Sequence, residues 1–181
     1  RDQRQQVTAA ARAEGMRSVA EGGSLYGFDM TLIADGNTTI EHNLPLGVFY
    51  EDVLQFFSGS KTGYTPTLVV TYGGPAADPY WRSHTEVWRH PLLQKHEPAA
   101  ILNANNARRE IAPDDDYRDD DSAREAAKLA RRGVPVAIGA HGQEPGIAAH
   151  WELWSFVRGG MSPAARCPGR SVSRTGRAAT R

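Results

Sequence analysis

The chain has 181 residues, 40% of them hydrophobic and 23% charged, the balance of a soluble globular protein of ordinary single-domain size. No apolar run approaches the roughly 20 residues that span a bilayer, no apolar leader follows Arg1-Asp2-Gln3-Arg4, and the single cysteine, Cys167, excludes an internal disulfide and a cysteine-based zinc site. The formal charge is zero, but five of the 21 basic residues lie beyond residue 160 with no acid among them. Residues 1–160 therefore hold 16 basic and 21 acidic groups, and no basic face points to nucleic acid.

In chain order, Gln3 to Glu14 is helix-like and Gly15 is its stop. Arg17 to Ala20 reads as a short strand ending in Glu21-Gly22-Gly23. Ser24 caps a helix running to about Ala34, with Asp35-Gly36 as a turn. Thr38 to Glu41 is a β-branched strand ending at His42. Gly47 to about Phe57 is amphipathic, and Thr65 to Thr71 (TPTLVVT) reads as a third strand with Pro66 at its start or edge. Residues 72–121 form a long insertion rich in Gly, Pro, Trp, His and Asp. Ser122 to Arg131 is an Ala-rich helix ended by Gly133. Val134 to Ile138 is a fourth strand, 139–145 a loop, and Ala148 to Val157 a helix stopped by Gly159-Gly160. From Arg166 onward, apolar periodicity is lost in an Arg-, Ser- and Gly-rich tail that reads as disordered; a frameshift or truncation would explain it, and a basic binding tail is the rival reading. Strands alternating with helices predict an α/β protein with a parallel sheet, either an open doubly wound sheet or half of an eight-fold barrel. Both place functional groups at strand C-termini.

Three strand ends carry candidate ligands: Glu21, Glu41-His42 and His141. Imidazole and carboxylate groups converging from separate strand ends are what a hydrolytic zinc-type ion needs, because the ion makes water acidic near neutral pH. A lone histidine at a strand end is more often a polar loop residue, and two at equivalent ends improve the odds. His84, His90 and His96 read as parts of a folded surface loop, and His150 as a capping or packing residue. Asp114–Asp116 and Asp119–Asp121 lack the Gly and terminal Glu of a calcium loop and favour the N-terminus of the following helix instead. The pairs Gly22-Gly23 and Gly73-Gly74 lack the spacing of a nucleotide fingerprint.

DGNTTIEHNLP (35–45) resembles the sixth-strand motif of the amidohydrolase superfamily, in its imidazolonepropionase and prolidase-like branch. GVPVAIGAHGQEPGIAAHWELWSFVRGGMSP (133–163) resembles the eighth strand and following helix of that branch. VAEGGS (19–24), TGYTPTLVVTYGGP (62–75) and YWRSHTEVW (80–88) fit the bacterial members whose barrel follows an N-terminal β-propeller. The resemblance covers roughly residues 1–163. It implies the C-terminal half, about strands 5–8, of a (βα)8 barrel, with an insertion at 72–121 and a disordered tail at 164–181. It also implies hydrolysis of a C–N bond in a small amide or peptide-like substrate, at one or two divalent ions, zinc above all. His42 takes the place of a metal ligand. Glu21 stands where the family usually has His, and His141 where it usually has the Asp that acts as ligand and proton shuttle. Tyr72, Trp81 and Trp88 would wall the substrate pocket. The family's His-x-His pair and the Lys that bridges two ions lie upstream of Arg1 by this resemblance, so the expected partner is the missing N-terminal half of the barrel. The parent protein would be exported or periplasmic, as propeller-linked relatives often are. The competing expectations are a non-catalytic remnant and a structural module that complements another chain.

Overall fold

The computed structural model describes residues 1–107, 110–142, 144 and 146–162; the Arg-rich tail and Cys167 lie outside them. Helix α1 (Asp2–Ala13) leads into β1 (Val19–Glu21), α2 (Tyr26–Ala34), β2 (Thr39–Glu41), α3 (Glu51–Ser60) and β3 (Gly63–Thr65). The strands form a parallel sheet in the order β1-β2-β3, with Val19 opposite Thr39 and Thr39 opposite Gly63. Ile40, at the centre of the middle strand, is buried to 1% exposure.

The half barrel expected from the sequence is not formed. Helix accounts for 55% of the structure and strand for 6%, in one small three-stranded sheet. Two local causes are visible. After Thr65 the chain meets Pro66, which has no N–H for a ladder, and then Thr67, whose backbone is left-handed (φ 52°). The run Leu68–Val70 therefore leaves the sheet as a 3-10 turn, burying Leu68 and Val69 almost completely. A short apolar run has no periodicity of its own to separate strand from buried turn. The expected fourth strand, 134–138, contributes only a single parallel bridge, Tyr64 to Val136. There Tyr64 N–H donates to Pro135 O and Ala137 N–H donates to Tyr64 O.

The expected 72–121 insertion is largely helical. It holds α4 (Ala77–His84), α5 (Pro91–His96) and α6 (Ala99–Ala107) before α7 (Asp119–Arg131) and α8 (Ile147–Arg158). The α8 stripe follows the 3.6-residue period: Ala148, Trp151, Glu152, Ser155 and Phe156 are buried. It packs on α7, where Ala123, Ala126 and Leu129 face inward. The approach is so close that a Cβ on Gly159 would strike Ala123 and the Arg124 backbone. Helix α3 sends Phe57 edge-on into Tyr64 with ring centroids 5.5 Å apart. Asp119, Asp120 and Asp121 occupy the first turn of α7, where its dipole favours negative charge. Among the described residues, no helix is long and apolar enough to cross a membrane.

Candidate functional site

The parallel strands bring β1 and β2 to a common end, so Glu21 and His42 meet there. His42 is buried to 6% exposure, whereas the Glu21 side chain is 75% exposed. His42 Nε2 stands 3.5 Å from Glu21 Oε1, longer than a good charge-assisted hydrogen bond. The His141 ring lies edge-on to His42 with centroids 5.1 Å apart. Tyr72 stacks on the same imidazole with ring centroids 5.2 Å apart. Glu21, His141 and Tyr72 thus all border His42, although these residues come from segments up to 120 positions apart.

Both histidines sit on left-handed backbone, at φ 71° for His42 and 54° for His141. Non-glycine residues adopt this region at a cost of about 1 kcal/mol or more, and such strain concentrates where a side chain must be aimed. Burial holds the His42 imidazole below the usual histidine pKa. The neighbouring His141 pushes the same way, against the opposing pull of Glu21 and Glu41. The balance favours the neutral ring, the form in which imidazole donates a lone pair. Its Nδ1 is buried and has no hydrogen-bond partner among the described residues.

Several residues that fix this geometry were not singled out from the sequence. Asn43, buried to 2% exposure, accepts the Tyr72 backbone N–H at 2.7 Å and donates to Leu44 O, Tyr72 O and Ser122 Oγ. It clasps the chain after β2 to the chain that carries the tyrosine. Asp29 Oδ1 accepts the Gly23 N–H at 2.7 Å and fixes the turn that follows Glu21. Its buried Oδ2 has no described partner, and burial raises its pKa above the ordinary carboxylate value. Glu152, fully buried on α8, accepts the Val69 N–H at 3.1 Å and the Gly139 N–H at 3.3 Å. It thereby holds the segment that leads to His141. Burial outweighs these donors and pushes the Glu152 carboxyl up to about 8. On the far side of the same loop, Glu144 pairs with Arg82, which also pairs with Asp78.

The two tryptophans expected to wall the pocket have other engagements. Trp81 donates from Nε1 to Ser155 Oγ at 2.9 Å and packs edge-on against Trp154, so it pins α4 to α8. Trp88 is half-buried against the hydrophobic core. His84 stacks on Tyr80 and pairs with Asp114 at 2.9 Å, while His90 and His96 bracket the short helix α5.

Among the described residues, no group of three or more His, Cys, Asp or Glu side chains already stands in metal-holding geometry. The donors nevertheless fit an ion of the zinc type in chemistry and in one spacing. With bonds of about 2.0–2.1 Å, a tetrahedral ion separates two of its ligand atoms by about 3.4 Å. His42 Nε2 and Glu21 Oε1 are 3.5 Å apart, and the second imidazole borders the same space. Comparison with protein-family models, with curated proteins and with solved structures returns no match for the chain.

Proposed function

We propose that this chain carries the imidazole and carboxylate part of a metal-dependent hydrolytic centre that cleaves amide-type C–N bonds. The observation that carries the reading is the 3.5 Å spacing of His42 Nε2 and Glu21 Oε1, which suits two ligands of one ion better than a direct hydrogen bond. The strained backbone at both histidines and the neutral, buried His42 ring support it, as does the resemblance of the strand-end motifs to the amidohydrolase superfamily.

In this reading His42 and Glu21, joined by His141 where that ring is not the proton carrier, would hold a divalent ion, which when bound would supply Lewis acidity toward the amide carbonyl and acidify water. His42 is the anchor, because Asn43 and Tyr72 fix its surroundings. Glu21 reaches in from the solvent side, and its exposure gives it freedom to close on an ion. His141 is exposed and lies at the rim, where its imidazole would either complete the ligand set or, left unligated, carry a proton to the departing amine. The Tyr72 ring stacks on His42.

A second reading is that the chain is a non-catalytic module. The exposure of Glu21 and the lack of a ready-made three-ligand group among the described residues favour it. Titration with Zn²⁺, followed by assays on N-acyl amino acids and dipeptides, separates the two. The metal reading expects stoichiometric binding that His42→Asn abolishes, since asparagine tolerates left-handed backbone, together with turnover that requires the ion. A folded chain that neither binds the ion nor turns over any amide leaves the module as the reading that stands.

A further inference from the structure

A cavity of about 600 Å³ opens between the chain at 85–93 and the first turns of α8. It shares no residue with the Glu21–His42–His141 cluster, and its size lies within the range of pockets that enclose small organic ligands. Its apolar walls are Leu92, Leu93, Ile147 and Trp154. Leu92 is 62% exposed and Trp154 40%, so a large apolar surface meets solvent here instead of being packed away.

The polar groups at this cavity are mostly donors. His90 and His150 line it, and neither imidazole has a hydrogen-bond partner among the described residues. His150 lies one helical turn before Trp154 on the same face of α8, with ring centroids 6.2 Å apart. Arg89 pairs through Nη1 with Glu86 at 3.0 Å, which neutralises the one carboxylate of the lining. The remaining guanidinium N–H groups have no described partner. An apolar trough closed by an aromatic ring and edged by unpaired N–H donors is complementary to a flat apolar body that ends in an anion.

We infer that this cavity is a binding site for aromatic monocarboxylates, with the ring on Trp154 and Leu93 and the carboxylate accepting from His90, His150 and Arg89. The inference does not depend on the metal reading, and a titration in the presence of EDTA keeps the two apart. Calorimetry of the full chain with 1-naphthoate and with 1-naphthylmethanol compares an acid with a neutral ligand of nearly the same shape. The acid is expected to bind roughly 10-fold or more tightly than the alcohol, the difference that charge-assisted hydrogen bonds provide. In the exposed-site variant His90→Phe/His150→Phe the rings remain and the donors go, so the preference should fall to within about 3-fold. Ile147→Glu, which places a carboxylate in the trough, should abolish acid binding. The inference is overturned if the unsubstituted chain binds neither ligand, if it binds both equally, or if Ile147→Glu leaves the affinity for 1-naphthoate unchanged.

Discussion

His42 and His141 end at the same place but are held there by different means. His42 follows β2, a strand paired along its length on both sides, with Ile40 at the centre of the core. His141 follows a segment with one bridge to the sheet, and Glu152 secures that segment by accepting the Gly139 N–H. One histidine is therefore placed by a hydrogen-bonded ladder and apolar packing, the other by a buried acid. The first kind of support is indifferent to pH, and the second is not.

That difference sets the largest expected effect. Unfolded, Glu152 ionises near 4.5; folded, it keeps its proton to about 8. Between these values the folded state binds the extra proton, so the contribution of Glu152 to stability falls as pH rises and is exhausted above about 8. The loss amounts to roughly 5 kcal/mol. Urea denaturation across pH 4–9 should show this slope in the unsubstituted chain, and Glu152→Gln should flatten it. An identical slope in both would mean that other groups carry the dependence.

Ile40→Ala attacks the ladder side instead. It should cost about 4 kcal/mol, as large-to-small changes in a tight core do, and the cost should be the same at pH 5 and pH 8. A strong pH dependence of that cost would erase the contrast between the two supports. Gly139→Ala strikes the acid-held segment without touching Glu152. Its new Cβ would run into Thr67 Oγ1 and approach Thr65 Cγ2 to 2.9 Å, an overpacking cost of about 3 kcal/mol. In NMR spectra this variant should shift the His141 ring signals more than those of His42. Asn43→Ala should cost less, about 2 kcal/mol, because it leaves the half-buried Tyr72 N–H without its acceptor. Its sharper reading is local: with Tyr72 released, the His42 ring becomes better hydrated and its pKa should rise toward the ordinary histidine value. An unmoved His42 titration would show that Asn43 does not govern the stack.

How much of this was legible in the sequence depends on the kind of signal. The β-branched strand ending in Glu41-His42 was readable, because its residue types and its stop agree. The convergence of Glu21, His42 and His141 followed from reading strand ends as neighbours. The regular barrel did not survive, since three-residue strands carry too little pattern to tell a paired strand from an apolar turn, and Leu68–Val70 took the second course. Trp81 and Trp88 looked like pocket walls because tryptophan often is one; in the fold, Trp81 serves as a brace. Glu152 was missed because glutamate on a helix usually faces water. A signal did exist, for residue 152 falls on the same stripe as Ala148, Trp151, Ser155 and Phe156. A charged residue on an apolar stripe marks an inward-facing acid. Glu125, among Ser122, Ala126 and Leu129 on α7, obeys the same rule and accepts the Phe49 N–H at 2.7 Å.

The left-handed backbone at His141 makes one exposed position answer to two selections. Asparagine there would ease the local conformation by a fraction of the roughly 1–2 kcal/mol that the left-handed region costs, while discarding the imidazole. A library enriched for heat resistance alone should accumulate such replacements at position 141, and one enriched for turnover should purge them. The direction of drift at this residue under each regime thus reports whether its ring is in use.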